Sequence, residues 1–237
     1  MGDFSTFRVT WWVRIQQMSE LAVKSKESAE SKDMKRIKRI ISTFVGISTL
    51  FLLTACNAGV AAQIGDTKIS QGTVQSKVAE ILAERRNYET SQMQLSFGEE
   101  LNRAELRFLV IATIFGKLAD DSGIKITNAM KDARKADILN QFGGSEQLNQ
   151  AFVSAQLAPS DFDLYVESIL ISEALSDRVR AAGVSENDLG SAIQGLVKNL
   201  TSKVGIKINP QYGTWDAQLA DLAEFDAAGT AVKPLTL

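Results

Sequence analysis

Between residues 61 and 204 the apolar positions recur mainly at intervals of three and four, the period of a helix with one buried face. A short opening stretch, Ala61 to Ser70, departs from this period. Its Gly65-Asp66 lies between two brief apolar runs and predicts a strand, turn and strand. Ser70 is placed to cap a helix reaching about Arg86, with Val74, Val78, Ile81 and Leu82 on its inner face. The stretch NYETSQMQLSFGEE that follows reads as loop. The next helix is the most hydrophobic. Asn102 and Glu105 resemble a capping box, and Leu106, Leu109, Val110, Ile114 and Leu118 form its main stripe. Phe108, Ile111 and Phe115 widen that stripe almost all the way round, so this helix is expected at the centre of the molecule. Gly123 is suited to end it in the left-handed conformation.

Three linked helices follow in the pattern. Thr127 caps one that carries Met130, Ile138 and Phe142 and breaks at Gly143-Gly144. Ser145 opens a short one with Leu148 and Phe152 inward, ended by Pro159. Ser160 and Asp163 form an S-x-x-D start for a long helix to about Arg180, holding Phe162, Val166, Ile169, Leu170 and Ile171. Ser185 and Asp188 repeat the device before Leu189, Ile193, Leu196, Val197 and Leu200, and Gly205 closes that helix. The two exits GIKIT and GIKIN are alike, each predicting a brief β-branched segment after a glycine stop. In the tail, Pro210, Gly213 and Trp215 predict a tight turn with an aromatic anchor, and Leu219, Leu222 and Phe225 one or two amphipathic turns. The fold class expected is mainly α, with short β segments at the start of this region and in the C-terminal tail.

Upstream the pattern changes. Ile40 to Leu53 is a fourteen-residue, mostly apolar run behind MKRIKR, and it ends in Leu-Thr-Ala-Cys at Cys56. A basic flank, a short apolar run and a small-residue exit make a secretory signal, and fourteen residues fall short of the roughly 20 that span a bilayer. The ending resembles the lipobox of bacterial lipoproteins, which implies a diacylglycerol on the Cys56 sulfur and cleavage before it. That accounts for the position of the only cysteine in 237 residues. It implies residence on the outer, extracytoplasmic face of a bacterial cell membrane, held by the lipid. Residues 34–55 are then the signal peptide and 56–60 a linker. Residues 1–33 have no clear period and stand in front of a signal that should begin the chain, which predicts a translation start at Met34.

Composition narrows the chemistry. Nine of the 26 basic residues and five of the 28 acidic ones precede Cys56, leaving 17 against 23 and a net charge of −6. An acidic body with no basic run argues against nucleic-acid binding. The chain has no histidine, which excludes the usual zinc sites and Ser-His-Asp or Cys-His catalysis. No glycine-rich phosphate loop is present, so neither a nucleotide nor any other cofactor is expected. The acid pairs Glu99-Glu100, Asp120-Asp121 and Asp161 with Asp163 read as solvated helix ends. Phe142, Phe152, Phe162 and Tyr165 are candidates to line a groove for extended apolar peptide, with core packing as the competing role. Tyr212 and Trp215 are candidates for a partly exposed surface beside Pro210, with anchoring of the tail as the alternative.

From Ala61 to about Leu175 the order of features resembles the N-terminal chaperone domain of the SurA and PrsA family of extracytoplasmic foldases. IGDTKISQGTVQSKVAEIL is similar to that family's opening strand, turn and helix. The stretch from Lys117 to Ile171 is similar to its run of linked helices, and GIKINPQYGTWD to the segment that closes its lipoprotein members. The resemblance implies a chaperone domain over residues 61–204, with 205–237 as a strand and tail packed on it. It implies an ATP-independent holdase for partly unfolded exported proteins. Family members often carry a parvulin-type prolyl isomerase domain between the helices and the tail. Here only Ala181 to Val204 occupies that interval, and the histidines of the parvulin site are missing, so enzyme activity is not expected. A prolyl isomerase and a non-catalytic adaptor lipoprotein are the alternatives.

Overall fold

The computed structural model describes residues 59–224. The expectations for the leader, Cys56 and Phe225 fall outside those residues.

The predicted hairpin forms. β1 (Val60–Ile64) and β2 (Thr67–Ser70) pair antiparallel around Gly65, whose φ of 61° suits a residue without Cβ. Ser70 caps α1 (Gln71–Arg85), its side chain accepting from the Thr73 backbone N–H. Val74, Val78 and Ile81 face inward as expected. Leu82 does not. It is exposed, and the buried place one turn on belongs to Arg85, a residue the apolar pattern passes over.

α2 (Gly98–Ser122) starts four residues before Asn102. Asn102 lies inside its first turns, donating to the Gly98 carbonyl, and Glu105 is buried rather than capping. The start carries no side-chain cap; Glu99 and Glu100 occupy its first turn, where acids interact favourably with the positive end of the helix dipole. Leu106, Val110 and Ile114 are fully enclosed, and Phe108, Leu109, Ile111, Phe115 and Leu118 are buried around them. Each such side chain contributes about 1.5–3 kcal/mol on leaving water, which makes α2 the axis of the core. It packs against α1, β1, the last two helices and the C-terminal hairpin. Gly123 ends it with φ 62°, as predicted.

α3 (Asn128–Phe142) is capped by Thr127 and broken at Gly143, and α4 (Ser145–Ala155) follows at once. Ile138, Phe142, Leu148 and Phe152 are buried, whereas Met130 is exposed. A single 3-10 turn, Pro159–Asp161, leads into α5 (Phe162–Ala181). The expected Ser160/Asp163 cap is absent: Ser160 bonds to α1, and Asp163 to Lys131 and Lys135 on α3. Asp188, before α6 (Leu189–Val204), likewise turns its carboxylate back to the Ser185 hydroxyl instead of capping.

The two similar exits differ. Residues 124–127 have no strand partner, with Ile124 and Ile126 resting against the core. Ile206–Ile208 becomes β3 because the free edge of β1 lies beside it, giving the sheet order β2-β1-β3. The tail then forms a 3-10 turn, Pro210–Tyr212, and a hairpin of β4 (Thr214–Asp216) and β5 (Asp221–Ala223). The hairpin replaces the amphipathic turns expected there. Asp216 closes it by accepting from the Gln218 and Leu219 N–H groups, which leaves Leu219 exposed and Leu222 buried. The described region is thus mainly helical, with six helices and short antiparallel strands at its two ends.

Candidate functional site

The aromatic residues proposed to line a groove are mostly interior. Phe142, Phe152 and Tyr165 are buried, and Phe152 meets the half-buried Phe162 with ring centroids 5.1 Å apart. Tyr212 is buried too, its hydroxyl lacking any hydrogen-bond partner, while Trp215 is half-buried against the core. These six residues do not form one surface. Packing takes the four buried ones, because their rings fall on the stripes that face α2 and α5. Among the described residues the large apolar side chain most open to solvent is Phe97, 66 % exposed at the start of α2, in a stretch whose sequence reads as loop.

Phe97 sits over a polar clasp. Arg85 is only 7 % exposed; its guanidinium donates to the Ser96 carbonyl and to Gln156 Oε1, both at 2.8 Å, and lies 5.1 Å from the Phe97 ring centre. Gln156 Oε1 also accepts from the Ser96 N–H at 2.7 Å. One amide oxygen thereby joins α1, the 86–97 loop and the end of α4. Burial lowers the Arg85 pKa from its ordinary value.

The densest chemistry lies where α1 and α2 meet the 3-10 turn. Lys77 Nζ stands 2.5 Å from Asp161 Oδ1 and donates to Ser160 Oγ at 2.6 Å. Glu80, one turn along α1, accepts from the Ser160 N–H at 2.7 Å and from its hydroxyl at 2.5 Å. Asp161 and Glu105 are each 2 % exposed. Burial pushes the Asp161 carboxyl above the usual carboxylate range, against the opposing pull of Lys77. The reading of Asp161 with Asp163 as a solvated pair is therefore corrected for Asp161 and holds only for Asp163. No local signal marks the difference; Asp161 is enclosed where the 3-10 turn packs against α1 and Lys77 meets it.

A serine beside a lysine and a carboxylate invites comparison with nucleophilic sites. The hydrogen bonds run otherwise. Lys77 acts as a donor to both Ser160 and Asp161, whereas activation of a serine requires a base that accepts its proton. The arrangement fastens α1 to the 3-10 turn. Among the described residues no group of three or more His, Cys, Asp or Glu could hold a metal ion, and no helix is long and apolar enough to cross a membrane.

No protein-family model, curated protein or solved structure matches the chain.

Proposed function

We propose that the protein is a lipid-anchored, ATP-independent holdase of the SurA and PrsA type, working on partly unfolded exported proteins at the outer face of a bacterial membrane. The observation that carries this reading is Cys56, the only cysteine, placed behind a basic and then apolar leader and ending Leu-Thr-Ala-Cys. The helical body with its opening hairpin is compatible with the family's chaperone domain. β1 begins four positions after Cys56, and four extended steps cover about 14 Å, so a lipid on that sulfur holds the body close to the headgroups. Two acyl chains give stable anchoring where one does not. Binding needs no catalysis: a protein that holds unfolded chains lowers their free concentration by mass action.

Two measurements on the full chain, expressed with its own leader, test the two parts. The intact mass of membrane-derived protein should show a diacylglyceryl adduct on a chain beginning at Cys56, absent from Cys56→Ser. A free thiol in the membrane fraction refutes the anchor. Excess protein should suppress aggregation of a reduced model substrate, and no suppression refutes the holdase.

Burial of Phe142, Phe152, Tyr165 and Tyr212 favours a second reading. Without an aromatic groove, the same anchored body suits an adaptor for one folded partner. A pull-down giving one stoichiometric protein rather than a spread of clients selects it.

A further inference from the structure

One face of the β2-β1-β3 sheet is open to solvent and carries two lysines in line. The register sets Lys68 on β2 and Lys207 on β3 both opposite Gln63 on β1, while Ala62, Ile64 and Ile69 are buried. Neighbouring strands stand about 4.8 Å apart, so the backbones of the two lysines lie about 10 Å from one another. Between them is a neutral residue, Gln63, whose amide donates to the Gly65 carbonyl. Both lysines are exposed, and among the described residues neither enters an ion pair.

Many cations elsewhere are paired. Lys131, Arg134 and Lys135 on α3 meet acids of α5, and Lys117 on α2 meets Asp66, the acid at the turn of the opening hairpin. The sheet face thus keeps positive charge on a body whose net charge is −6. It also adjoins the point where the leader joins the body. The Gly59 carbonyl accepts from the Gln71 N–H at 2.7 Å and the Ala61 carbonyl from the Asn209 N–H at 2.8 Å, which fixes the chain at its entry. From Gly59 back to Cys56 is three steps, about 10 Å when extended, and from Gly59 on to Gln63 is four, about 13 Å. The tether and the distance to the lysine row are therefore of similar reach.

We infer, on the reading that Cys56 carries a lipid, that the anchored body lays this sheet face on the membrane, with Lys68 and Lys207 against anionic lipid headgroups. Each lysine near an anionic surface favours that orientation about fivefold, and the attraction fades within a Debye length. Two lysines do not hold a protein at a membrane. They suffice to turn a body that a lipid already keeps there. Val60, 40 % exposed where the chain enters, lies at the edge of the same sheet and meets the headgroup layer with it.

Lysine labelling with a water-soluble acylating reagent, read peptide by peptide by mass spectrometry, tests this on the full chain expressed with its leader and reconstituted in vesicles. Vesicles of phosphatidylcholine alone are compared with mixtures of phosphatidylcholine and phosphatidylglycerol at low salt. Labelling of Lys68 and Lys207 should slow about tenfold or more on the anionic vesicles and recover in ~1 M salt, while Lys135 on α3 keeps its rate. Lys68→Gln, a change at an exposed position, should cut the slowing at Lys207 to about fivefold at most. A chain that does not float with the vesicles has no anchor, which overturns the lipid reading and the orientation together. A chain that floats but labels equally on both vesicles overturns the orientation alone. Slow labelling already present in detergent, and increasing with protein concentration, puts a second copy of the chain on this face and overturns the membrane contact.

Discussion

Replacing Arg85 by methionine tests how far one buried guanidinium organises the loop between α1 and α2. Methionine keeps an unbranched stem of similar reach and removes all the donors. Two charge-assisted hydrogen bonds are lost, to the Ser96 carbonyl and to Gln156 Oε1, each contributing about 1.5–3 kcal/mol. The contact with the Phe97 ring adds about 0.5–1 kcal/mol, at the low end because that ring is mostly in water. Dehydration of the guanidinium opposes these gains, as the lowered Arg85 pKa records, and Nε is buried without a partner. The balance is a destabilisation of about 2–3 kcal/mol for Arg85→Met, a fall in Tm of about 4–12 °C for a chain of this size. Urea denaturation followed by circular dichroism measures the first quantity. Hydrogen exchange locates it: the Ser96 amide, bonded to Gln156 Oε1, should lose protection well before the amides of α2. A variant within about 0.5 kcal/mol of wild type, with Ser96 still protected, would show that the clasp is incidental and that hydrophobic packing alone sets the loop.

Four other outcomes are expected. Gly213→Ala should unfold the β4–β5 hairpin: Gly213 has φ 121°, and an added Cβ would lie 2.1 Å from the Ala223 carbonyl oxygen, so loss of the Trp215 fluorescence environment is the readout. Tyr212→Phe should leave stability unchanged or raise it by about 0.5–2 kcal/mol in thermal melts, because it deletes a buried hydroxyl with no partner. Lys131 and then Lys135 hold the Asp163 carboxyl below its ordinary value, so its contribution is present above the unfolded carboxylate pKa and disappears as pH falls through the folded one. Asp163→Asn should therefore cost up to about 1 kcal/mol near neutrality and nothing at strongly acid pH, as seen in paired denaturation curves. Phe97→Ala should change stability by less than about 1 kcal/mol yet weaken suppression of substrate aggregation if that exposed ring touches clients; equal suppression removes Phe97 from the binding surface.

Much of the fold is readable from local chemistry. Ser70 and Thr127 cap because a short oxygen-bearing side chain lies next to the first apolar turn, and Gly123 and Gly143 stop helices because the left-handed conformation suits them. The candidate junction is not readable in that way. Lys77, Glu80, Glu105 and Asp161 look individually like surface charges, and the separation between Lys77 and Asp161 in the chain carries no period. Ser160, Asp163 and Asp188 show the same limit. Each has the residue type and position of a cap, and each is drawn off by a charged or hydroxyl partner. A motif states what a side chain is able to bond, and competition among neighbours decides what it does bond.

Residues within a few positions of one another set the helical period, most of the helix ends and the central place of α2, and they put the lone Cys56 behind a basic and then apolar run. Tertiary structure alone decided that Ile206–Ile208 completes a sheet while Ile124 and Ile126 do not, that the tail forms a hairpin, and that Asp161 is enclosed while Asp163 stays in water. Strand pairing and desolvation are properties of what packs alongside, and a neighbour distant in the chain leaves no mark on the local pattern of polar and apolar residues.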